Sequence, residues 1–357
     1  MRSVLAVMAL LAAIPVFAAE QPLYRERFDS DAGGWINPEK TGPQPVSQRA
    51  VAHEGGALES SYEVSATSKP HVIVVPGVPS LRGARAFRFW LRTDAASMMA
   101  LLVQEKSGAR YATAFSSQAA RWQEVEVSPD RLRLSDDSTD PNGVLDLDQI
   151  EAFGLVDLCG AFPMSQRQLG LHHLWLDDWR VDTDEAPTAY SPHHQLPYML
   201  DDFQADYVSW LAPVGTLTHN ADAGELVWRY PAKAPEGMFV ALLTILGQLP
   251  AEGVDSLVLT LSSKEPRLFV VALQEDKRPG RPERSFTSIL TLRGGDEQET
   301  LALPLSKFQL DDKTHTAPPG PMRVDLISRL VLADIDCMSG KALTENTLRL
   351  NEVLLTK

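Results

Sequence analysis

The sequence is poor in positive charge, poor in cysteine and, after its first residues, free of long apolar runs. Lysine and arginine number 33 against 47 aspartates and glutamates, which gives a formal net charge of −14. A surface this acidic repels phosphate backbones, so we do not expect a nucleic-acid partner. No later apolar run approaches the roughly 18 residues of a spanning helix. We therefore predict a soluble chain without a membrane span.

Catalytic motifs are also missing. The sequence contains no G-x-S-x-G, no H-E-x-x-H and no glycine-rich phosphate loop. Paired carboxylates are abundant, but an acidic chain supplies such pairs throughout, so no glycosidase pair can be singled out. We expect a protein that is not an enzyme, with a hydrolase or lyase on the same fold as the less favoured alternative.

The first residues are typical of a secretory leader. Arg2 precedes an apolar run from Val4 to Phe17, and Val16 and Ala18 suit cleavage after a small residue. We predict a signal peptide over residues 1–18 and a secreted or periplasmic protein.

Only Cys159 and Cys337 supply thiols. They are compatible with one disulfide in an exported protein, and equally with two buried thiols.

The rest of the sequence contains an ordered internal repeat. Five segments of the first copy match five of the second in the same order: 24–35 with 199–210, 56–62 with 224–230, 87–105 with 257–275, 146–159 with 324–337, and 174–179 with 348–353. Such order favours duplication of one unit. We predict one domain over 19–183, a linker rich in Pro, Ser, Thr and acidic residues over 184–198, and a second domain over 199–357.

Short β-rich segments dominate both copies. Examples are 71–76, 87–92, 99–105 and 122–127, separated at short intervals by Pro, Gly and Asp clusters. Many short strands with turn residues between them indicate an all-β sandwich. At roughly 160 residues per copy, the jelly roll matches in size. We predict an all-β chain of two tandem jelly-roll β-sandwich domains.

One predicted strand carries an unusual outward face. In residues 87–92, Phe87, Phe89 and Leu91 alternate with two arginines and a tryptophan. An indole offers an apolar face to sugar C–H groups, and Arg or Gln side chains bind hydroxyl groups. The candidate ligand-binding residues on this strand and those after it are Arg88, Trp90, Arg92, Gln104 and Tyr111.

The alternative is that this face is not free. Trp90 then packs under a loop or against the second copy, and Arg88 and Arg92 pair with surplus acidic residues. In the second copy the outward set of Val258, Thr260 and Ser262 is small and bland. If a ligand binds a sheet, we expect it on the first copy.

The ordered motifs resemble the carbohydrate-binding-module jelly rolls of the galactose-binding-like class. Phe28 and Trp35 open the first copy as Phe203 and Trp210 open the second, and a Gly-x-Leu-x-x-x-Tyr strand follows in each. A strand pair with a tight turn comes next, and LWLDDWRV closes the first copy. The resemblance implies a non-catalytic module that binds a glycan or polysaccharide. The alternative is a scaffold protein that binds an envelope protein through the same surface.

The resemblance also implies a structural Ca²⁺ ion where the first and last strands of the unit meet. Calcium takes six to eight oxygen ligands, and the carboxylates at these ends of the first copy are Glu26, Asp29, Asp177 and Asp178. The second copy departs from this pattern, with Asn351 and Glu352 in place of the aspartate pair. Solvated edge charges are the alternative.

Overall fold

The computed structural model describes residues 22–39, 46–48, 52–161, 168–183, 196–236, 238–247, 249, 252–276, 282–311 and 320–357. The predicted signal peptide and residues 184–195 of the predicted linker lie outside the described residues. Within these residues, no helix has both the length and the apolar character needed to cross a membrane.

The N-terminal half, residues 22–183, folds into two antiparallel sheets. Its strands are β1 (Tyr24–Glu26), β2 (Val46–Gln48), β3 (Gly56–Val64), β4 (His71–Pro76), β5 (Ala86–Thr93), β6 (Ser97–Glu105), β7 (Arg110–Ser117), β8 (Gln123–Val127), β9 (Arg133–Leu134), β10 (Ile150–Asp157) and β11 (Gly170–Asp182). The first sheet has the order β2-β3-β11-β5-β8, with β1 also paired to β11, and the second has the order β4-β10-β6-β7-β9.

The C-terminal half, residues 196–357, repeats this arrangement. Its strands are β12 (Tyr198–Asp201), β13 (Trp210–Leu211), β14 (Thr216–Asn220), β15 (Glu225–Tyr230), β16 (Ala241–Ile245), β17 (Ser256–Ser263), β18 (Arg267–Glu275), β19 (Arg284–Leu292), β20 (Glu299–Pro304), β21 (Gln309–Leu310), β22 (Ile327–Asp334) and β23 (Asn346–Thr356). The third sheet has the order β14-β15-β23-β17-β20, with β12 on β23, and the fourth has the order β13-β16-β22-β18-β19-β21. The single α-helix of the described residues is α1 (Ile335–Met338).

The two halves share strand order and local backbone detail. Removing β13 leaves the same sequence of equivalent strands in both pairs of sheets. Phe28 and Phe203, which match in the repeat, both have a φ of 57°, a left-handed conformation that is uncommon for bulky residues. The all-β sandwich prediction is confirmed. The domain boundaries near 183 and 199 stay a prediction.

Each half has its own apolar cluster, and Tyr207 of the C-terminal half packs into the cluster of the N-terminal half. In the N-terminal half, the indole of Trp179 lies between the rings of Phe89 and Phe153, with centroid distances of 4.4 and 5.1 Å, and Trp35 meets it edge-on at 4.9 Å. Trp210 and Trp228 are central to the second cluster. Large apolar side chains buried in this way supply most of the stabilisation of a sandwich.

The alternation in β5 follows the predicted period of two. Phe87, Phe89 and Leu91 are fully buried between the sheets, so the residues between them point to the outer face. β5 belongs to the first sheet, whereas β6, the next strand along the chain, belongs to the second. The turn at residues 94–96 therefore crosses the sandwich, and residues on β6 do not extend the outer face of β5.

A set of polar contacts joins the halves. Ser116 on β7 donates its N–H to Val208 O (2.8 Å) and its hydroxyl to Trp210 O (2.7 Å). Arg131 is buried and donates to Tyr207 Oη (3.0 Å) and Ile245 O (2.7 Å). Because these donors and acceptors are removed from water, the contacts hold the halves in one orientation.

Candidate ligand-binding face

The outer face of the first sheet carries the aromatic side chains of interest. We call it the β5 face. In the strand register, Arg92 on β5 lies opposite Trp175 on β11, and Trp90 lies opposite Asp177. Trp122 directly precedes β8, whose first residue, Gln123, pairs with Leu91. The three indoles are each partly exposed, whereas the other four tryptophans of the chain are fully buried.

Trp90 lies on the outer face of its sheet and not in the core. The imidazole of His53 stacks on its indole, with ring centroids 3.7 Å apart and an interplanar angle of 11°. The same imidazole meets Trp122 edge-on at 6.1 Å. His53 therefore contacts two of the three indoles and covers one side of Trp90. This agrees with the alternative in which Trp90 packs under a loop.

One carboxylate binds the backbone of the segment that carries His53, and two glycines allow this segment to lie close to the sheet. Asp177 Oδ2 accepts the backbone N–H groups of His53 (3.1 Å) and Glu54 (2.9 Å). Gly55 has a φ of +63°, and a Cβ at Gly56 would lie 2.2 Å from Phe28 O. A larger residue at either position would push the segment away from the sheet, so the glycines allow its close approach.

Asp177 is nearly inaccessible to solvent. Burial raises the pKa of its carboxyl group, and hydrogen bonds from the backbone N–H groups of Glu54, Asp178 and His53 oppose that shift. These partners give the carboxylate a structural role in fastening the loop to β11.

Trp175 is the second aromatic centre of the β5 face. The guanidinium carbon of Arg92 lies 5.5 Å from the centroid of the Trp175 ring, within cation–π range. The imidazole of His173 is parallel to the indole at 5.5 Å, and its Nδ1 lies 3.4 Å from Glu59 Oε1. Polar groups thus flank an aromatic surface on β3, β11 and β5.

Arg88 is not available to a ligand, contrary to the sequence prediction. Its side chain is buried and forms ion pairs with Glu126 at 2.9 Å and with Asp182. Arg180, on the neighbouring strand, pairs with Glu124, Asp178 and Asp182. Neighbouring strands place carboxylates on both sides of each guanidinium group, so some of the surplus acidic residues pair with these arginines.

Gln104 and Tyr111 also lie away from the β5 face, and both assignments are corrected. Gln104 is on β6 in the second sheet, opposite Arg110 and Ala152. Tyr111 is buried between the sheets and donates its hydroxyl to Asp140. Burial, followed by hydrogen bonding to Asp140, raises the pKa of the Tyr111 phenol. The β5–β6 turn changes sheets, which residue spacing alone does not reveal.

The four candidate calcium ligands do not form a cation site. Within the described residues, no group of three His, Cys, Asp or Glu side chains is placed to hold a metal ion. Asp178 pairs with Arg25 at 2.7 Å and Arg180 at 2.7 Å, and Asp177 binds backbone N–H groups. Glu26 accepts the N–H of Phe28 (3.1 Å), and Asp29 faces Gly55. A carboxylate paired with two arginines and a second one bound to backbone N–H groups do not fit a calcium cage.

The two cysteines, Cys159 and Cys337, do not form a disulfide. They occupy equivalent places in the two halves, where each backbone N–H donates to an aspartate, Asp157 and Asp334 respectively, at 2.8 Å. Each half carries one of the two cysteines at the same position of the repeat. The two thiols therefore lie in different halves.

At the three equivalent positions described in the C-terminal half, no aromatic side chain is present. In the repeat, Thr260 stands where β5 has Trp90, Arg349 where β11 has Trp175, and Gln298 where β8 is preceded by Trp122. Thr260 hydrogen-bonds only to Thr300 and Glu352 among the contacts described. The expectation that a ligand binds the first copy and not the second stays a prediction.

Three residues of the β5 face, Trp122, Trp175 and His53, were not among the predicted site residues. Trp175 follows from the period of two in LHHLWLDDWRV, where Leu174 and Leu176 point inward and Trp175 outward. His53 has no comparable signal, because its segment shows no strand pattern and reaches Trp90 only through the tertiary fold.

Comparisons with protein-family models and with curated proteins found no match. Among solved structures, a family 11 carbohydrate-binding module from Clostridium thermocellum in complex with a β-1,3-1,4-mixed-linked tetrasaccharide is 15% identical, with a TM-score of 0.32 over 42% of this chain and 88% of that one. The family 11 module of a cellulosomal cellulase from Clostridium thermocellum is 14% identical, with a TM-score of 0.33 over 46% and 96%. An agarase is 14% identical, with a TM-score of 0.34 over 51% and 28%. TM-scores this low carry no argument about function.

Proposed function

We propose that this chain is an exported, non-catalytic protein that binds a neutral polysaccharide on the β5 face of its N-terminal half. The observation that carries the proposal is the gathering of Trp90, Trp122 and Trp175 on one sheet face, whereas the three equivalent positions in the C-terminal half have no aromatic side chain. Partly exposed indoles on a sheet provide flat apolar surface for the C–H groups of sugar rings.

The spacing of the aromatic groups suits an extended ligand. Trp175 lies on β11 and Trp122 directly precedes β8, and these strands flank β5. The backbones of the two residues are therefore roughly 10 Å apart, two interstrand distances. Arg92 lies between them in the register. A chain laid across the strands would meet an indole, a guanidinium group and a second indole in succession.

The charges on this face favour a neutral ligand. Glu59, Glu124 and Asp178 are partly exposed on or beside the sheet, and Arg88 and Arg180 are already paired with carboxylates. Carboxylates accept hydrogen bonds from sugar hydroxyl groups. They repel sulfated or uronic-acid polymers, as does the net charge of −14.

Affinity electrophoresis in gels that contain mixed-linkage glucan, agarose, cellulose derivatives or alginate tests the proposal. We expect retardation by at least one neutral polymer, weaker retardation of Trp175→Ala and Trp122→Ala, and none by alginate. The matched controls are Arg349→Ala and Gln298→Ala, which change the positions of the C-terminal half equivalent to Trp175 and Trp122.

Equal retardation of the Trp175→Ala variant and its Arg349→Ala control would contradict the site. No retardation by any polymer, with capture of an envelope protein that Trp175→Ala abolishes, would favour the scaffold alternative. Release of reducing sugar from any polymer would contradict a non-catalytic role.

A further inference from the structure

A cavity of about 220 Å³ opens where the two halves meet, away from the β5 face. The lining residues of the N-terminal half include Tyr62, Asp94, Ser97, Asp157 and His172, and those of the C-terminal half are residues 208, 212, 213, 215–217 and 219. Neither half encloses this space alone.

In the C-terminal half, an arginine fills the space equivalent to this cavity. In the C-terminal half, Asp334 accepts the hydroxyl of Tyr230 (2.8 Å), and Arg267 Nε lies 3.3 Å from the same carboxylate. Arg267 thus fills the end of that sandwich, where its side chain is buried.

The N-terminal half keeps the tyrosine–aspartate pair but not the arginine. Tyr62 donates to Asp157, as Tyr230 does to Asp334. The residue equivalent to Arg267 is Ser97, whose hydroxyl donates to Asp157 at 2.7 Å. A serine is several atoms shorter than an arginine, so the space of the guanidinium group is vacated, and no lysine or arginine among the described lining residues replaces it there.

The cavity walls are held in place before any ligand binds. Ser116 is bonded to Val208 O and Trp210 O, and Gln118 Nε2 lies 3.4 Å from His219 Nδ1. His219 Nε2 also donates to Phe203 O (2.8 Å). A preformed site avoids the cost of ordering its own side chains on binding.

The lining determines which charge the cavity accepts. Asp94 is exposed towards it and Asp157 is buried at its end, whereas its described lining residues include no lysine or arginine. Ala96, Met98, Val208 and Pro213 supply apolar surface. Asp94 lies 3.4 Å from His172 Nδ1, and Asp157 accepts hydrogen bonds from Tyr62, Ser97 and the backbone N–H of Cys159. Both carboxylates would oppose an anionic ligand, while a cation would take the place of the missing guanidinium group.

We propose that this cavity binds a small organic cation, about the size of one six-membered ring, with its ammonium group beside Asp94 and Asp157 and its carbon skeleton against the apolar lining. The site is independent of the polysaccharide face, which lies on the outer side of the first sheet.

Isothermal titration of the full chain at pH 8, where an ordinary imidazole is neutral, tests the proposal with three ring-matched probes. These are cyclohexylamine, cyclohexanol and cyclohexanecarboxylate. We expect cyclohexylamine to bind about tenfold or more tightly than cyclohexanol, because a charge-assisted hydrogen bond is added, and cyclohexanecarboxylate not to bind.

Two variants locate the binding. Asp94→Asn should weaken cyclohexylamine about tenfold, and Ser97→Arg, which restores the arginine of the other half, should abolish it. Asp137→Asn is the matched control, since it removes an equal charge from an exposed carboxylate outside the cavity. If Ser97→Arg fails to fold, judged by near-UV circular dichroism, Asp94→Asn alone decides.

The proposal is overturned if cyclohexylamine shows no saturable binding, if it binds no more tightly than cyclohexanol, or if Asp94→Asn has no more effect than Asp137→Asn. Trp175→Ala should leave cyclohexylamine binding unchanged, so failure here is distinguishable from failure of the polysaccharide proposal.

Discussion

The imidazole of His53 stacks on the indole of Trp90 with ring centroids 3.7 Å apart. The contact joins a loop to a strand, because Asp177 on the adjacent strand holds the loop backbone. Trp90 therefore contributes to ligand binding only on the surface that His53 leaves open, and Trp175 and Trp122 become the principal aromatic contacts of the proposed face.

Removing this stack should expose Trp90 without unfolding the chain. For His53→Ala we expect a loss of about 1 kcal/mol in unfolding free energy, the value of an aromatic pair. Acrylamide should also quench the tryptophan fluorescence more strongly. The gain in quenching should disappear in the double variant His53→Ala, Trp90→Phe. Unchanged quenching in the single variant would show that His53 does not cover the indole in solution.

Arg131 should contribute strongly to the free energy of unfolding through its contacts between the halves. Replacing it with alanine leaves Tyr207 Oη and Ile245 O without their buried donor, and we expect a loss of about 2 kcal/mol or more in urea unfolding. The control is Arg121→Ala, which breaks an ion pair to Asp206 between side chains that are 47% and 42% exposed. That loss should stay within about 0.5 kcal/mol. Equal losses in the two variants would contradict the role of Arg131.

Alkaline pH should destabilise the fold through its buried tyrosines. Burial, followed by the charge of a neighbouring aspartate, raises the pKa of Tyr62 and of Tyr230 above the ordinary value of 10.0. Burial also raises the pKa of Tyr24 to about 12. Above about pH 10 the unfolded chain releases phenolic protons that the folded chain retains, so stability is full below that pH and falls as pH rises.

Urea midpoints measured from pH 8 to pH 11 test this dependence. Tyr62→Phe and Tyr230→Phe should each make the alkaline decline less steep, whatever their effect at pH 8, because one raised phenol is removed. An unchanged slope in both variants would show that these phenols do not control alkaline stability.

Thiol titration should distinguish the two cysteines. Cys337 is 2% exposed, and burial, with the charge of Asp334, raises its pKa to about 11. Since the thiolate is the reactive form, Cys337 should react with a disulfide reagent only after unfolding. Cys159 is partly exposed and should react in the folded protein. Denatured, unreduced protein should give two thiols per chain, and Cys159→Ser should give one. Fewer thiols would indicate a disulfide.

The strand content and the repeat were predictable from sequence. Each strand is indicated by a short stretch of residues, and the repeat by several matching stretches in the same order. The alternation of Phe87, Phe89 and Leu91 with charged residues indicates a strand with one buried face, and its burial follows. Segment order alone related the two copies, and the same strand order appears in both halves.

The candidate site was predictable only in part. Trp90 and Arg92 do lie on the outer face, because a period of two determines which side a residue takes once its strand is known. Gln104, Tyr111 and Arg88 were assigned wrongly, because spacing does not say whether a turn stays in one sheet or which carboxylates the neighbouring strands bring to a guanidinium group.

The amino-acid sequence by itself determined the β pattern, the duplication and the absence of aromatic residues from the three equivalent positions of the second copy, since each depends on residue type and order. The tertiary structure alone decided that His53 covers Trp90, that Arg88 is neutralised, and that exchanging Arg267 for Ser97 leaves a cavity between the halves. These depend on which distant segments meet, and pairing between strands far apart in sequence is not encoded in any short stretch of the chain.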